Sequence, residues 1–399
     1  MEPLLTTLQK EAATKQENLI SLRRTLHQYP EVGWNEEGTS ERLRNMLQAM
    51  GLTCSSPLAK NGFYVDIKGT QPGPTIAWRA DMDALPISDQ KEVPYKSKID
   101  GFGHMCGHDV HSTVAMGITS LLNQHRDHIK GTIRIFWQPA EECNPSGAPV
   151  MIEDGVLKDV SAVYAMHCDP NLPSGTYGMR PKEETAAFDA FKITIKTEHT
   201  AHSARPHLGR DTIWIAHQVM SQIYQISGRI TDALHPTVIS ICMFHGGYAI
   251  NVIPDEVYFT GTARSARDTE RRFIRKKVTE IAEAAAKVYD VDISIDFGKG
   301  APSVYNNERL FSHFKDIVRK NLGRSAFITK DQSMGAEDFS FYTHEVPGLF
   351  IRVGTCESEC TAHALHSNYF DIDESILSGT CALASYTLIQ HLENLPLQK

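Results

Sequence analysis

Cys106 and His108 flank a single glycine in the stretch Gly103-His104-Met105-Cys106-Gly107-His108-Asp109-Val110-His111. A thiolate and an imidazole two residues apart converge on one point if the backbone between them turns tightly, and Gly107 permits that turn. The chemistry on offer is metal ligation. Further donors recur along the chain. Glu141 and Glu142 follow the apolar run 132–137, His167 follows 162–166, and His363 and His366 follow 348–354. Assembled, Cys106, His108, Glu142, His167 and one of His363 or His366 form a mixed set of thiolate, imidazole and carboxylate. Such a set exceeds a closed four-coordinate structural zinc and suits two ions, or one with open positions; two fit better. Ions held roughly 3.5–4 Å apart share a bridging water, lower its pKa and polarise the carbonyl it attacks. Of two adjacent glutamates, one can then bind metal while its neighbour serves as general base.

Taken singly, each residue has a plainer reading. Glu141-Glu142 could be a solvated strand end, and His167 a satisfied strand-end histidine. Asp81 and Asp83, just past the run 75–80, could be ligands, groups that orient a ligand imidazole, or caps of the next turn; we assign Asp81 the orienting role. What argues for a site is the recurrence of such residues just past four apolar runs.

The elements that must position these residues are legible in outline. Leu19, Leu22 and Leu26 predict a helix over 16–27, stopped by Pro30. Leu43, Met46, Leu47 and Met50 predict a second, ending at Gly51. The runs 75–80, 132–137, 162–166 and 348–354 read as strands, and 112–124 as a helix. Strands separated by helices imply an α/β fold with a mixed, mostly parallel sheet flanked by helices, whose sites gather where the strands' carboxyl ends open into loops. Residues 182–297 read differently. Strands over 188–195, 237–243, 257–263 and 291–297 alternate with helices over 211–226 and 267–289, carrying Ile213, Ala216, Met220 and Ile223 inward on the first and Ile274, Val278, Ile281, Ala285 and Val288 on the second. The order βαββαβ is that of an α+β ferredoxin-like unit. The chain therefore divides into a catalytic part, 1–181 with 298–399, and an inserted domain, 182–297.

With 399 residues, two domains are the default expectation. A net charge of -8 with no long basic block opposes nucleic-acid or anionic-membrane partners and leaves small molecules as the expected ligands. The stretch Met1–Leu22 lacks a signal-peptide core, no run spans a bilayer, and eight cysteines are too sparse for a disulfide framework. A cytoplasmic location is expected.

Seven stretches together resemble the M20 family of metallopeptidases and amidohydrolases, in the aminoacylase-like branch of hippurate hydrolases, auxin-conjugate hydrolases and N-acetyldiaminopimelate deacetylases. They are Arg79 to Pro86, Gly103 to His111, Gln138 to Glu142, Met166-His167, Asn251 to Asp255, Gly335 to Phe339 and Leu365 to Ser367. The resemblance implies that Cys106, His108, Glu142, His167 and His366, rather than His363, hold two divalent ions, with Glu141 as catalytic base. Zinc or manganese is expected, with cobalt or nickel as further candidates. Arg79 stands where relatives have a ligand histidine, and Cys106 where they have a bridging carboxylate. The inserted domain resembles a lid and dimerisation domain. His202 matches the histidine that stabilises the oxyanion, though Thr200-Ala201 replaces the usual Gly-Gly before it. Asn251 and Arg264 match the pair that grips a substrate carboxylate. The implied enzyme is a homodimer or higher homo-oligomer, assembled through the inserted domain, that hydrolyses N-acyl amino acids or related conjugates. Alternatives are a dipeptidase or carboxypeptidase with the same centre, a non-catalytic metal-binding regulator, and a hydrolase using Cys106 as nucleophile.

Overall fold

A computed structural model describes residues 3–394; residues 1–2 and 395–399, the outer ends of the sequence-drawn catalytic part, lie outside them. The chain forms two compact units. The first runs to Glu184 and takes in Tyr305–Asp331 and the chain from Asp338 on; the second comprises Thr185–Val304 and Gln332–Glu337. That last segment lies outside 182–297 yet belongs to the second unit. Gln332 Nε2 donates to the carbonyls of Thr185 and Ala266, and Ala186 N donates to that of Gly335.

The first unit is built on a mixed sheet in the order Phe63–Lys68, Lys130–Gln138, Gln71–Asp81, Val160–Pro173, Gly348–Cys356, Tyr305–Asn306 and Lys182–Glu183. Its centre is parallel: Lys130–Gln138, Gln71–Asp81, Val160–Pro173 and Gly348–Cys356 pair successively in one direction. Such strands are buried on both faces and read as continuous apolar runs, which is why they were visible. Register brings Asp81 opposite Gln138, and His167 opposite Arg352. Polar residues thus collect at the carboxyl ends of the central strands.

The helix His108–Gln124 starts a turn earlier than the apolar pattern predicts. Gly107, at φ +87°, supplies the left-handed turn before it, and a Cβ there would stand 2.9 Å from Cys168 Sγ. The helix is buried almost throughout, packed among the helices Leu4–Thr14, Gln16–Gln28 and Ile376–Asn394 and the strand Gln71–Asp81. The first and last of those three helices were not anticipated. The early start puts His108 and His111 three apart on one face, with ring centroids 5.3 Å apart.

The second unit has a four-stranded antiparallel sheet in the order Asp292–Phe297, Ala187–Lys196, Glu256–Ser265, Thr237–Gly246. Numbered along the chain this is 4-1-3-2, the order of the ferredoxin-like split βαβ. The helices Thr212–Gln225 and Asp268–Tyr289 cover one face of it. Two inward assignments fail. On the first helix the buried stripe is Ile215, Ala216, Val219 and Ile223, leaving Ile213 43 % exposed; on the second, the inward stripe Ile274, Val278, Ala282 and Ala285 continues to Tyr289, leaving Val288 72 % exposed on the outer face.

Candidate metal centre

The sequence-predicted donors of the first unit come together. Cys106 Sγ lies 3.5 Å from His167 Nε2, and His366 Nε2 lies 2.9 Å from Glu142 Oε1. Donor atoms of Cys106, His108 and His167 fall within 4.8 Å of one another, as do those of Cys106, Glu142 and His366, and of His108, Glu141 and Glu142. These overlapping triplets make one cluster. Both His363 and His366 are exposed, but His363 lies tilted against Tyr369 and belongs to none of these triplets, whereas His366 shares one with Cys106 and Glu142.

Hydrogen bonds behind the cluster decide which nitrogens face it. His167 Nδ1 donates to the Cys168 carbonyl at 2.7 Å, leaving the Nε2 lone pair toward Cys106. His108 Nδ1 is 3.1 Å from Asp83 Oδ1, and its buried Nε2 has no hydrogen-bond partner among the described residues. A buried imidazole nitrogen left so is costly unless something absent from the protein atoms engages it. His111 is different. Cys168 N donates to its Nε2 and its Nδ1 lies 2.6 Å from Asp81, so both nitrogens are spent on protein.

Asp83, 3.1 Å from His108 Nδ1 against 3.8 Å for Asp81, is the closer orienter of that ring, and it also accepts from Glu142 N at 2.9 Å. Asp81 holds His111 and accepts from Arg79 Nη1. Arg79 is fully buried and also donates to Gln138 Oε1 at 2.9 Å and Asp338 Oδ1 at 2.7 Å, so a charged network occupies the position where a ligand histidine was the comparison. The turn carrying the glutamates is likewise pinned. Ala140 takes φ +56°, its N–H donates to Glu36 Oε1, and Asp338 N donates to Glu141 Oε1 at 3.4 Å.

The electrostatics suit a cation. Burial opposes charge on Asp81, yet the Arg79 guanidinium and the His108 and His111 rings hold its carboxyl well below the ordinary range. Burial likewise opposes charge on Glu142, but His366 and His108 keep its carboxyl low. Burial, reinforced by Glu142 and Glu141, pushes the Cys106 thiol well up. Burial, with the nearby His111 ring and the Arg352 guanidinium, keeps the His167 imidazole well below its ordinary value, hence neutral. Against the opposing effect of burial, the carboxylates of Asp81, Asp83 and Glu142 raise the His108 imidazole to about 10, so the surrounding negative charge calls for a cation. A divalent ion bound by deprotonated donors would supply that positive charge. The donor set therefore fits the group that the spacing implied.

The residues assigned from the second unit are placed as follows. His202, exposed, lies on the short strand Ala201–His202 that pairs with Val252–Ile253, and Ala204 N donates to its Nδ1. Asn251 is exposed and its carbonyl accepts from Ser203 N. Arg264 is half-buried over the Phe188 ring, with Nη1 donating to the Met334 carbonyl at 2.8 Å. The contributions of Glu36 and Asp338 have no counterpart among the sequence expectations, and the orienting role assigned to Asp81 falls, for His108, to the other candidate, Asp83. The only signal for Asp338 was its place in the stretch Gly335 to Phe339.

Residues 77–388 match the family model described as peptidase family M20/M25/M40. Among relatives, an N-acetylcysteine deacetylase of Bacillus subtilis is 36% identical over 361 residues, covering 90% of this chain and 93% of the relative. An IAA-amino acid hydrolase of Arabidopsis thaliana is 34% identical over 379 residues, covering 94% and 85%. Among solved structures, a Bacillus subtilis protein described as a dinuclear metal-binding peptidase of the M20 family superposes with a TM-score of 0.84 at 33% identity, covering 96% of this chain and all of that one. With its fold, its site geometry and these relatives in agreement, the chain belongs to peptidase family M20/M25/M40 and is a hydrolytic enzyme.

Proposed function

We propose that the protein is a dinuclear metal-dependent amidohydrolase that cleaves the amide bond of N-acyl amino acids or amino-acid conjugates. The single observation that carries the reading is the convergence of Cys106, His108, Glu142, His167 and His366 beside a second carboxylate, Glu141. The five converging residues would hold the ions, and the dinuclear description of the Bacillus structure supports two of them. When bound, a pair of divalent ions supplies Lewis acidity toward the acyl carbonyl and lowers the pKa of the attacking water. Glu141, oriented by Asp338 N, accepts the proton from that water and delivers it to the leaving amine. Asp83 and the Cys168 carbonyl keep His108 and His167 turned toward the site, and Asp81 keeps His111 out of the ligand set. Roles for His202 in stabilising the oxyanion, and for Asn251 and Arg264 in gripping the substrate carboxylate, are proposed on the motif match alone. Relatives named for N-acetylcysteine and IAA-amino acids support a small N-acyl amino acid as substrate. Zinc is the first choice of ion for a site with thiolate and imidazole donors, manganese the second.

Stripping the protein with a chelator is expected to abolish hydrolysis in a screen of N-acetyl, N-benzoyl and longer N-acyl amino acids against dipeptides, and zinc or manganese is expected to restore it. Activity that survives chelation but falls to thiol alkylation would instead select a Cys106 nucleophile. Faster turnover of dipeptides would select the peptidase alternative.

The second unit supports a homodimer. Its edge strand Thr237–Gly246 and the following loop expose Val238, Met243, Phe244, Tyr248 and Ile250, and among the described residues no strand pairs the outer edge of Thr237–Gly246. A long apolar edge of this kind is a template for a second copy. Met243→Asp with Ile250→Asp is expected to turn a dimer into a monomer in analytical ultracentrifugation; an unchanged sedimentation coefficient would remove this face from the interface.

A further inference from the structure

The helix Gln16–Gln28 buries two polar side chains that the reaction does not use, Arg23 and His27, both 0 % exposed. Arg23 reaches two separate segments, the first turn of the helix His108–Gln124, just after the loop that ends at Gly107, and the loop from His366. Its Nε donates to Asp109 Oδ2 at 2.9 Å, its Nη2 to Asp371 Oδ1 at 2.9 Å and its Nη1 to Glu374 Oε1 at 3.3 Å. Asp109 directly follows His108. Asp371 and Glu374 close the loop that begins at His366. His27 reinforces the first contact, with Nδ1 2.8 Å from the same Asp109 oxygen and Nε2 3.1 Å from Asp89 Oδ2. Asp89 is itself fixed by the N–H groups of Lys91 and Ser97. Tyr95 donates to the other oxygen of Asp371 at 2.8 Å, and Gln16, from the start of the same helix, donates to the Glu374 carbonyl at 2.7 Å. The two loops also touch directly, where His366 N donates to the Met105 carbonyl at 2.7 Å.

We propose that Arg23, assisted by His27, is a positioning clamp that locks the His108 turn and the His366 loop against each other and so sets the metal affinity of the centre. The inference rests on the metal-centre reading above. Only a guanidinium, with five donors in a rigid fork, meets three carboxylates in different directions; an ammonium is a point charge that cannot hold all three in place. Stability alone gives such a network little purpose, because buried ion pairs can often be replaced by apolar groups at no loss. What an apolar group cannot do is fix the directions of Asp109, in the first turn of its helix, and of Asp371, in its loop. His366 needs that help, since its backbone sits in the left-handed region at φ +66°, a conformation that costs a non-glycine residue energy and persists only when its surroundings impose it.

The test compares the full-length, metal-stripped protein with Arg23→Lys, His27→Gln and, as a control, Arg24→Gln, whose half-exposed guanidinium pairs with Glu374 from outside. Zinc affinity is measured by competition with a chromophoric chelator, and the absorption spectrum of each cobalt-loaded protein reports the ligand geometry. Arg23→Lys and His27→Gln are expected to bind zinc roughly 10–100-fold more weakly with altered cobalt bands, whereas Arg24→Gln stays within about twofold of the parent. Folded variants with parental zinc affinity and cobalt spectra overturn the clamp, even if they melt earlier, because a merely structural role would lower stability and nothing else. Should Arg23→Lys fail to fold, His27→Gln decides by the same two readouts. Failure of the parent protein to bind two ions would instead strike the metal-centre reading.

Discussion

Glu141→Gln is expected to lower kcat/KM for amide hydrolysis by about 10²–10⁴-fold while leaving the metal content unchanged. The substitution keeps the size of the side chain and the oxygen that accepts from Asp338 N at 3.4 Å, so the turn has no reason to move. It also leaves Cys106, His108, Glu142, His167 and His366 in place. What it removes is the capacity to take a proton from water and return one to the leaving amine, and nothing beside it replaces that capacity: Glu142 is engaged with His366, and the Asp81 carboxyl is committed to Arg79 and His111. Metal analysis alongside steady-state kinetics separates the outcomes. A variant with full metal and a rate within tenfold of the parent would take Glu141 out of the role of base, and a variant that loses metal would make it a ligand.

The comparison with Glu142 shows which parts of the site can be read from residue order. Each central parallel strand is buried on both faces, so its apolar run is continuous and its end is marked by the first polar residues. That is why Asp81, Glu141 and Glu142 were legible at or just past strand ends, whereas His167, read as the residue after a strand, lies within Val160–Pro173. Long buried helices are harder. His108–Gln124 is buried on nearly every side and opens with the polar residues His108, Asp109, His111, Ser112 and Thr113, so no periodic apolar face announced its first turn, and the metal-loving residues at its start read as a loop. The helix Glu308–Asn321, by contrast, carries Leu310, Phe311, Phe314, Ile317 and Val318 on one face behind the cap Asn307, a signal that was present and not used.

Contacts distant in the chain were the least legible. Spacing could suggest that an acidic residue orients His108, but whether Asp81 or Asp83 does so depends on how the turn after Gln71–Asp81 leaves the sheet. Arg23 and Asp371 are separated by most of the chain, and a helix with Leu19, Leu22 and Leu26 inward gives no hint that an arginine between them is equally buried. The same holds for Asp338, whose side chain accepts from Arg79, Gln138 Nε2 and Ala148 N although it lies near the junction between the two units.

That buried network sets the second large effect. Arg79→Met is expected to cost about 3–5 kcal/mol of unfolding free energy, because it leaves partners of a buried ion cluster without their cation. Asp81 and Asp338 both point at the guanidinium from fully or nearly fully buried positions, with side-chain exposures of 0% and 5%. Methionine fills the volume and satisfies neither. The sign of the pH dependence follows from Asp81, whose carboxyl Arg79, His108 and His111 together hold low against the opposing effect of burial. A depressed folded-state pKa contributes stability above the unfolded value and loses it as pH falls. The deficit of Arg79→Met is therefore present in full at neutral pH and shrinks toward acid, where the stranded carboxylates of the variant take up protons. Urea unfolding of the metal-free protein at neutral and mildly acid pH measures both quantities. Adding Asp338→Asn to Arg79→Met is expected to recover part of the loss, since it removes one stranded charge, and strictly additive losses in that cycle would show that the two residues do not act as a unit. Because Asp338 N also steadies Glu141 and Asp81 steadies His111, the same substitution tests whether the network that holds the sheet together also holds the proposed base, Glu141, in place.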